Sequence, residues 1–317
     1  MKVKCYGSRG SIPSPMNSAM IRSKIAAALQ SAIEQGLTDP AQIDAFIDTL
    51  PFEVANTYGG NTTCMYIEDD AGNNIILDAG SGIRPLGLEL LGKAFGKGEG
   101  TAHLFITHTH WDHIMGFPFF VPAFIPGNKI TIYSPKEKIK ERFEGQQRFQ
   151  YFPIALHEMN STITFKVLPE HSAVSIGETV VRNFIQPHPG DSYSYRIECN
   201  GKSIVFATDI ELFLKDFEYL QSCARFFENA DILIFDAQYT FEEALQKMSW
   251  GHSSTTMAVD MALKAGIKEL WLFHHEPTYG DEKIKAVTDH AIKYLHTLVP
   301  DSTMKIVAAY EGLEAVL

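Results

Sequence analysis

The run Thr107-His108-Thr109-His110-Trp111-Asp112-His113 decides how the rest of this chain is read. Four side chains able to bind a metal, His108, His110, Asp112 and His113, fall within six positions. They follow directly on Leu104 to Thr107, which reads as a buried strand. Imidazole and carboxylate together suit zinc, iron or manganese. Without a cation the loop would crowd groups that must stay hydrated or paired, because an uncompensated buried charge is costly. The competing reading is a polar surface loop enriched in histidine by chance.

Three positions further along weigh against chance. His188 follows the strand pattern Thr179 to Ile185, Asp209 follows Ser203 to Ala207, and His274 follows Leu270 to Phe273. Singly, each would read as a structural histidine or a helix-capping aspartate. Together they repeat one placement, a metal-capable side chain where a strand stops, and loops at such places gather functional groups. His275 competes with His274 for the ligand role, and the end of the strand favours His274. His103, His157, His171, His290 and His296 have no companion spacing and read as surface or structural residues.

Strand patterns also appear at Val3 to Tyr6, Thr62 to Ile67, Ile75 to Leu77, Ile130 to Tyr133, Ile163 to Val167, Tyr193 to Glu198 and Ile232 to Phe235. Helices are expected at Pro85 to Phe95, Lys136 to Phe149, Phe241 to Lys247, Ser254 to Lys264 and Glu282 to Leu298. Strands come first in hairpins and later alternate with helices, the order of a layered α/β sandwich. Between the first strands, Ile21, Ile25, Leu29 and Ile33 recur with the period of an amphipathic helix that Gly36 stops. Asp39-Pro40 then reads as the cap and first residue of a second helix, Ala41 to Leu50. Residues 16–57 are thus expected to form a helical insertion in a single domain spanning 1–317. A mobile lid, a homodimer contact and inert decoration are the readings open for it.

Composition sets outer bounds. A formal net charge of −11 argues against general affinity for polyanions, whose capture rests on Lys and Arg. A long nucleic acid is disfavoured and a small substrate favoured. The four cysteines are scattered without a C-x-x-C pair, so neither a zinc knuckle nor a disulfide framework is indicated. The N-terminus lacks the apolar core of a signal peptide, and no apolar run approaches the roughly 20 residues that span a bilayer. The expectation is a soluble, cytoplasmic protein without membrane contact.

The His/Asp run matches the H-x-H-x-D-H signature, and the chain resembles the metallo-β-lactamase fold superfamily over nearly its whole length. Ile76-Leu77-Asp78-Ala79-Gly80, His188, Asp209 and His274 fall where that superfamily carries its other motifs. The resemblance implies an α/β fold, a four-layer αβ/βα sandwich with metals at one edge. It also implies a cofactor of two divalent ions, with zinc the default and manganese or iron compatible with the same ligands. His108, His110 and His188 would hold the first; Asp112, His113 and His274 the second, with Asp209 bridging. Asp78 would lie near the ligand loop and fix a histidine ring, unless it is a simple strand-end turn residue.

Within the superfamily, Asp209 as bridging carboxylate and Gly251-His252-Ser253-Ser254 are similar to the phosphodiesterase branch, which includes ribonuclease Z and the accessory phosphodiesterase of carbon–phosphorus lyase pathways. Ribonuclease Z carries a tRNA-gripping arm between the positions of His188 and Asp209, and only about 20 residues separate them here. The expected activity is therefore hydrolysis of a small cyclic or linear phosphodiester by a hydroxide shared between two metals. Asp112 and His252 are the candidate catalytic residues, with His252 protonating the leaving oxygen. His252 could instead merely start a helix capped by Ser253 or Ser254. A cyclic nucleotide phosphodiesterase, a thioester or lactam hydrolase and a metal-site sensing protein remain as alternatives. Phe117-Pro118-Phe119-Phe120-Val121-Pro122-Ala123-Phe124 is either core or an apolar wall of the cleft.

Overall fold

In the computed structural model, which describes residues 1–212 and 217–317, the chain forms two seven-stranded sheets packed face to face. The strands are β1 (Lys2–Gly7), β2 (Cys64–Glu68), β3 (Asn74–Leu77), β4 (Thr101–Phe105), β5 (Lys129–Ser134), β6 (Thr162–Val167), β7 (Ala173–Ile176), β8 (Thr179–Gln186), β9 (Ser192–Cys199), β10 (Lys202–Ala207), β11 (Ile232–Asp236), β12 (Glu269–Phe273), β13 (Lys305–Ala308) and β14 (Glu314–Val316). The first sheet has the order β14-β1-β2-β3-β4-β5-β6 and the second β13-β12-β11-β10-β9-β8-β7. The neighbours from β3 to β6 and from β10 to β13 are parallel.

Near-continuous apolar runs in these strands explain the layering, because a parallel strand is buried on both faces. Successive side chains point to opposite faces. In β10, Ile204 and Phe206 enter the cluster between the sheets, while Val205 and Ala207 enter the outer one. In β12, Trp271 and Phe273 face inward, and Leu270 and Leu272 outward. The second sheet's outer face is covered by α7 (Phe217–Phe227), α9 (Thr255–Lys264) and α10 (Asp281–Leu298). That of the first is covered by α4 (Ile83–Leu90), α6 (Ile139–Gln146) and the aromatic turn after the ligand loop. The result is the expected four-layer αβ/βα sandwich.

Boundaries moved where local chemistry overrode periodicity. The strand expected at Leu104 to Thr107 ends at Phe105, and Thr107 instead ties to Asp78. The helix expected to reach Phe95 ends at Leu90, with Gly92 and a separate 3-10 turn following. Helix α7 and strands β7, β13 and β14 were not expected from the sequence. Phe117 and Phe120 are fully buried in the outer core, so that stretch is packing rather than cleft wall, apart from exposed Phe119. No described helix is long and apolar enough to cross a membrane.

The insertion departs most from expectation. Helix α1 (Ser18–Glu34) forms where the apolar period placed it, with Asn17 accepting from the backbone amides of Ala19 and Met20 as the N-cap. Yet Ile21, Ile25, Leu29 and Ile33 are 44 %, 54 %, 59 % and 75 % exposed. The half-buried face is instead Met20, Lys24, Ala28 and Ser31. Lys24 anchors it, its ammonium 2.7 Å from Asp281 and donating to the carbonyls of Glu53 and Asn56. The second helix, expected over Ala41 to Leu50, is reduced to a turn capped by Asp39 and the short α2 (Ile43–Ile47), and an unexpected α3 (Phe52–Ala55) follows Pro51.

Candidate metal centre

The parallel strands of both sheets end at one edge, the place where open α/β sheets present ligand-binding groups. Asp78 leaves β3, the His/Asp run leaves β4, Asp209 leaves β10, and His274 leaves β12. Asp78, Asp209 and His274 all have left-handed backbone, at φ 61°, 54° and 61°. Such conformations are costly for residues with a side chain and persist where the surroundings over-determine them. Here the abrupt turn aims each side chain along the edge rather than into a layer.

Two groups of ligand atoms result. His108 Nε2 and His188 Nε2 lie 2.9 and 3.1 Å from His110 Nδ1, and both lie 3.7 Å from Asp209 Oδ2. Asp112 Oδ2 lies 3.2 Å from His113 Nε2 and 3.1 Å from His274 Nε2. Those two nitrogens are in turn 3.1 and 3.2 Å from Asp209 Oδ1. Asp209 therefore turns one carboxylate oxygen to each group. His275, by contrast, is buried away from the cage, its Nε2 donating to the Ala309 carbonyl at 2.8 Å.

The histidine rings are held from behind. His113 Nδ1 donates to Asp78 Oδ2 at 2.8 Å, and the same carboxylate accepts from the Thr107 amide and hydroxyl. Thus Asp78 orients a ring rather than merely closing a turn. His188 Nδ1 donates to the Gly251 carbonyl at 2.8 Å. Gly251 sits at φ 92°, and a Cβ there would come within 2.2 Å of His188 Nδ1, so this approach requires glycine. Glu211 pins that loop by accepting from the amides of Ser249 and Gly251.

The electrostatics fit a cation cage. Burial works against charge on Asp112 and Asp209, yet neighbouring His113 and His274 hold both carboxylates well below the usual range. Burial opposes a proton on His113, and the charges of Asp112, Asp209 and Asp78 override it and raise its pKa well above the usual value. His108, His110 and His188 are lowered chiefly by burial, which favours the neutral ring a metal requires. His113 Nε2 is buried and has no hydrogen-bond partner, although it faces two carboxylates. Such an atom is expected of a ligand whose partner is a divalent ion.

A cleft of about 480 Å³ opens over the cage, lined by Ser11, Thr109, Asp112, Asp209 and His252 among others. His252 stacks on His274 with centroids 4.8 Å apart, and its Nδ1 donates to buried Asp236 at 2.7 Å. Burial would lower its pKa, but Asp236 raises it to about 9. Ser254, not His252, caps α9 by accepting from the Met257 amide. Asp236, Glu211 and Ser11 escaped sequence reading. Asp236 carried the usable signal, a carboxylate at the end of β11. Ser11, whose amide donates to Asp112 Oδ2 at 2.8 Å, carried none.

The family profile described as a β-lactamase superfamily domain matches residues 73–275. Ribonuclease Z of Oceanobacillus iheyensis is 24 % identical over 60 % of this chain and 76 % of its own length. Among solved structures, the short form of human tRNase Z superposes with a TM-score of 0.63 at 16 % identity, covering 100 % of this chain and 99 % of that one. A diphosphatase of the PhnP family gives 0.58 at 17 % identity, covering 100 % and 97 %.

Proposed function

The chain belongs to the β-lactamase superfamily as a metal-dependent hydrolase, and from that premise we propose that it is a dinuclear phosphodiesterase acting on a small cyclic or linear phosphodiester. The observation that carries this reading is Asp209, whose two oxygens face two separate ligand groups beneath a cleft that His252 also lines. His108, His110 and His188 would hold one divalent ion and Asp112, His113 and His274 the other, with Asp209 shared; zinc suits this donor set, and manganese or iron also fits. Bound there, such ions supply Lewis acidity toward phosphoryl oxygens and lower the pKa of water to about 7.

The chain's own groups divide the proton chemistry. Asp112, ionised and fixed by the Ser11 amide, accepts the proton of the attacking water. His252 commits Nδ1 to Asp236, which leaves Nε2 to hold the proton for the leaving oxygen. At a pKa of about 9 that proton is present at neutral pH. Asp236 steadies the ring and favours its charged form.

A small substrate is supported by the cleft's size, within the roughly 300–1,000 Å³ of small-molecule sites. It is supported too by the segment between His188 and Asp209, a single hairpin of β9 and β10 turning at Asn200-Gly201, with no arm to grip a long RNA. We read residues 1–317 as one hydrolase domain with the 16–57 insertion, and four buried, unpaired cysteines fit a cytoplasmic setting.

Hydrolysis of bis(p-nitrophenyl) phosphate, set against a thioester and nitrocefin, tests the reaction class. Turnover of the diester alone is expected, and preferential turnover of either carbonyl substrate would overturn the reading. His252→Ala should keep its full metal content yet lose about 10²–10⁴-fold in turnover of a diester with an alkyl leaving group. The loss should shrink for p-nitrophenolate, which leaves without a proton. Equal rates for variant and wild type on the alkyl ester would remove His252 from the mechanism.

A further inference from the structure

Trp111 stands between two candidate ligands, His110 and Asp112, on the short helix α5 (Trp111–Ile114), and its side chain is 79 % exposed. An indole is among the largest apolar groups a chain can bury, and its exposure here is not a failure of the surrounding fold. The three residues that follow it, Asp112, His113 and Ile114, are buried, whereas His110 before it is exposed. No ring stacks on Trp111 among the described residues, yet it lines the same cleft as Asp112, Asp209 and His252. Aromatic surface left open in the wall of a cleft beside a reaction centre is surface that a bound ligand can cover.

A cation is tied to the residue two positions before it. Arg142, on α6, donates to the Thr109 hydroxyl at 2.7 Å, and Thr109 lines the cleft. A guanidinium has five donors, so one bond to a neutral hydroxyl positions it and leaves its charge uncompensated by any carboxylate among the described residues. Lys136, within Coulombic reach of Arg142, is itself paired with Asp191 at 3.5 Å, so Arg142 is the cation left over on this side. In a chain of net charge −11, whose cleft floor is built from carboxylates, Arg142 stands out as a cation at the rim.

We propose that Trp111 and Arg142 form a substrate subsite at the mouth of the cleft, where the indole stacks on a planar heteroaromatic ring carried by one arm of the phosphodiester and the guanidinium takes a further phosphate on that arm. The subsite rests on the phosphodiesterase reading and deepens it. It selects nucleotide-like diesters over aliphatic ones with an identical reacting centre.

Two five-membered cyclic diesters separate these roles: adenosine 2′,3′-cyclic phosphate carries the ring, and glycerol 1,2-cyclic phosphate lacks it. Trp111→Ala should raise KM for the adenosine ester about tenfold or more, the scale of one base stacked on an aromatic side chain. The glycerol ester should change less than about twofold, and Trp111→Phe should restore most of the loss. Arg142→Gln should abolish any preference for the 5′-phosphorylated adenosine ester over its 5′-hydroxyl form. Equal effects on both diesters, or none, would overturn the subsite. Binding gives a readout independent of turnover. Adenosine 2′-monophosphate should quench part of the tryptophan emission of the wild type and none of that part in Trp111→Phe. Persistent quenching in the variant overturns the proposal. A wild type that hydrolyses neither diester but is quenched through Trp111 would sink the phosphodiesterase reading and leave the subsite standing.

Discussion

His108, Asp112, His113, Asp209 and His274 are each 5 % exposed or less, whereas Ile21, Ile25, Leu29 and Ile33 of the insertion lie between 44 % and 75 %. One region buries what water would hydrate and the other exposes what water rejects. The cage can do so because each of its groups faces one of opposite charge demand and five strand ends fix the geometry. The insertion can do so because its helix is made locally, by an Asn17 cap and good helix formers, and is held along its other face, where Lys24 pairs with Asp281, while Phe52 of the insertion packs on Tyr58 and Tyr310. A region held from many directions should fail sharply when one member is removed. A region held along one face should tolerate change on its open face.

The sharpest break should come at Asp209. Asp209→Ala removes an oxygen from both ligand groups at once, and turnover should fall by more than the about 10–100-fold that loss of an outer-shell partner costs. Elemental analysis should find at least one fewer ion per chain. Retention of full metal and rate would mean that the two groups do not share this carboxylate. Asp78→Asn should fall one step lower. The amide can still accept from the Thr107 backbone but no longer supplies a charge behind His113, so metal affinity should drop about 10–100-fold in competition with a chelator. An unchanged affinity would show that His113 needs no support from Asp78.

Asp236 tests the electrostatic side of the cage. Burial lowers the pKa of His252 and Asp236 more than reverses this, to about 9. A group with a raised pKa carries its proton below that value and loses it as pH rises through it. Turnover of an alkyl diester should therefore fall on the alkaline side, and Asp236→Asn should move that limb to lower pH. The acid limb should stay where it is. A limb that does not move would assign the alkaline loss to another group.

Much of the cage could be read from the order of residues because its signal is local in form: a ligand-type residue directly after an apolar strand, repeated along the chain. His108, His188, Asp209 and His274 all announced themselves in this way, and the structure brings them together. Ser11 could not be found, since its contribution is a backbone amide placed by a turn at φ 60°. Periodicity placed α1 but misjudged its surroundings, because a stripe every fourth residue specifies a helix and not what lies against it. Helix α7 was missed although its Leu220, Cys223, Ala224 and Phe227 are buried at helical spacing, an apolar face made partly of small residues.

The smallest effect is expected on the open face of the insertion, and it bears on the comparison as a whole. Leu29 is 59 % exposed, so Leu29→Ser exchanges an apolar group already in water for a polar one. Substitutions at such sites usually change stability by no more than about 0.5 kcal/mol. Lys24→Ala removes the ammonium 2.7 Å from Asp281, a carboxylate with 2 % side-chain exposure. Asp281 still accepts from the Tyr58 amide, with Arg9 4.0 Å away, so the cost should be about 1–3 kcal/mol rather than unfolding. Thermal denaturation of the two variants should thus rank Lys24→Ala well below Leu29→Ser, with metal content untouched in both. The reverse ranking would mean that the isoleucine and leucine stripe is covered in solution, and the contrast between a cage held from all sides and a helix held along one face would no longer hold.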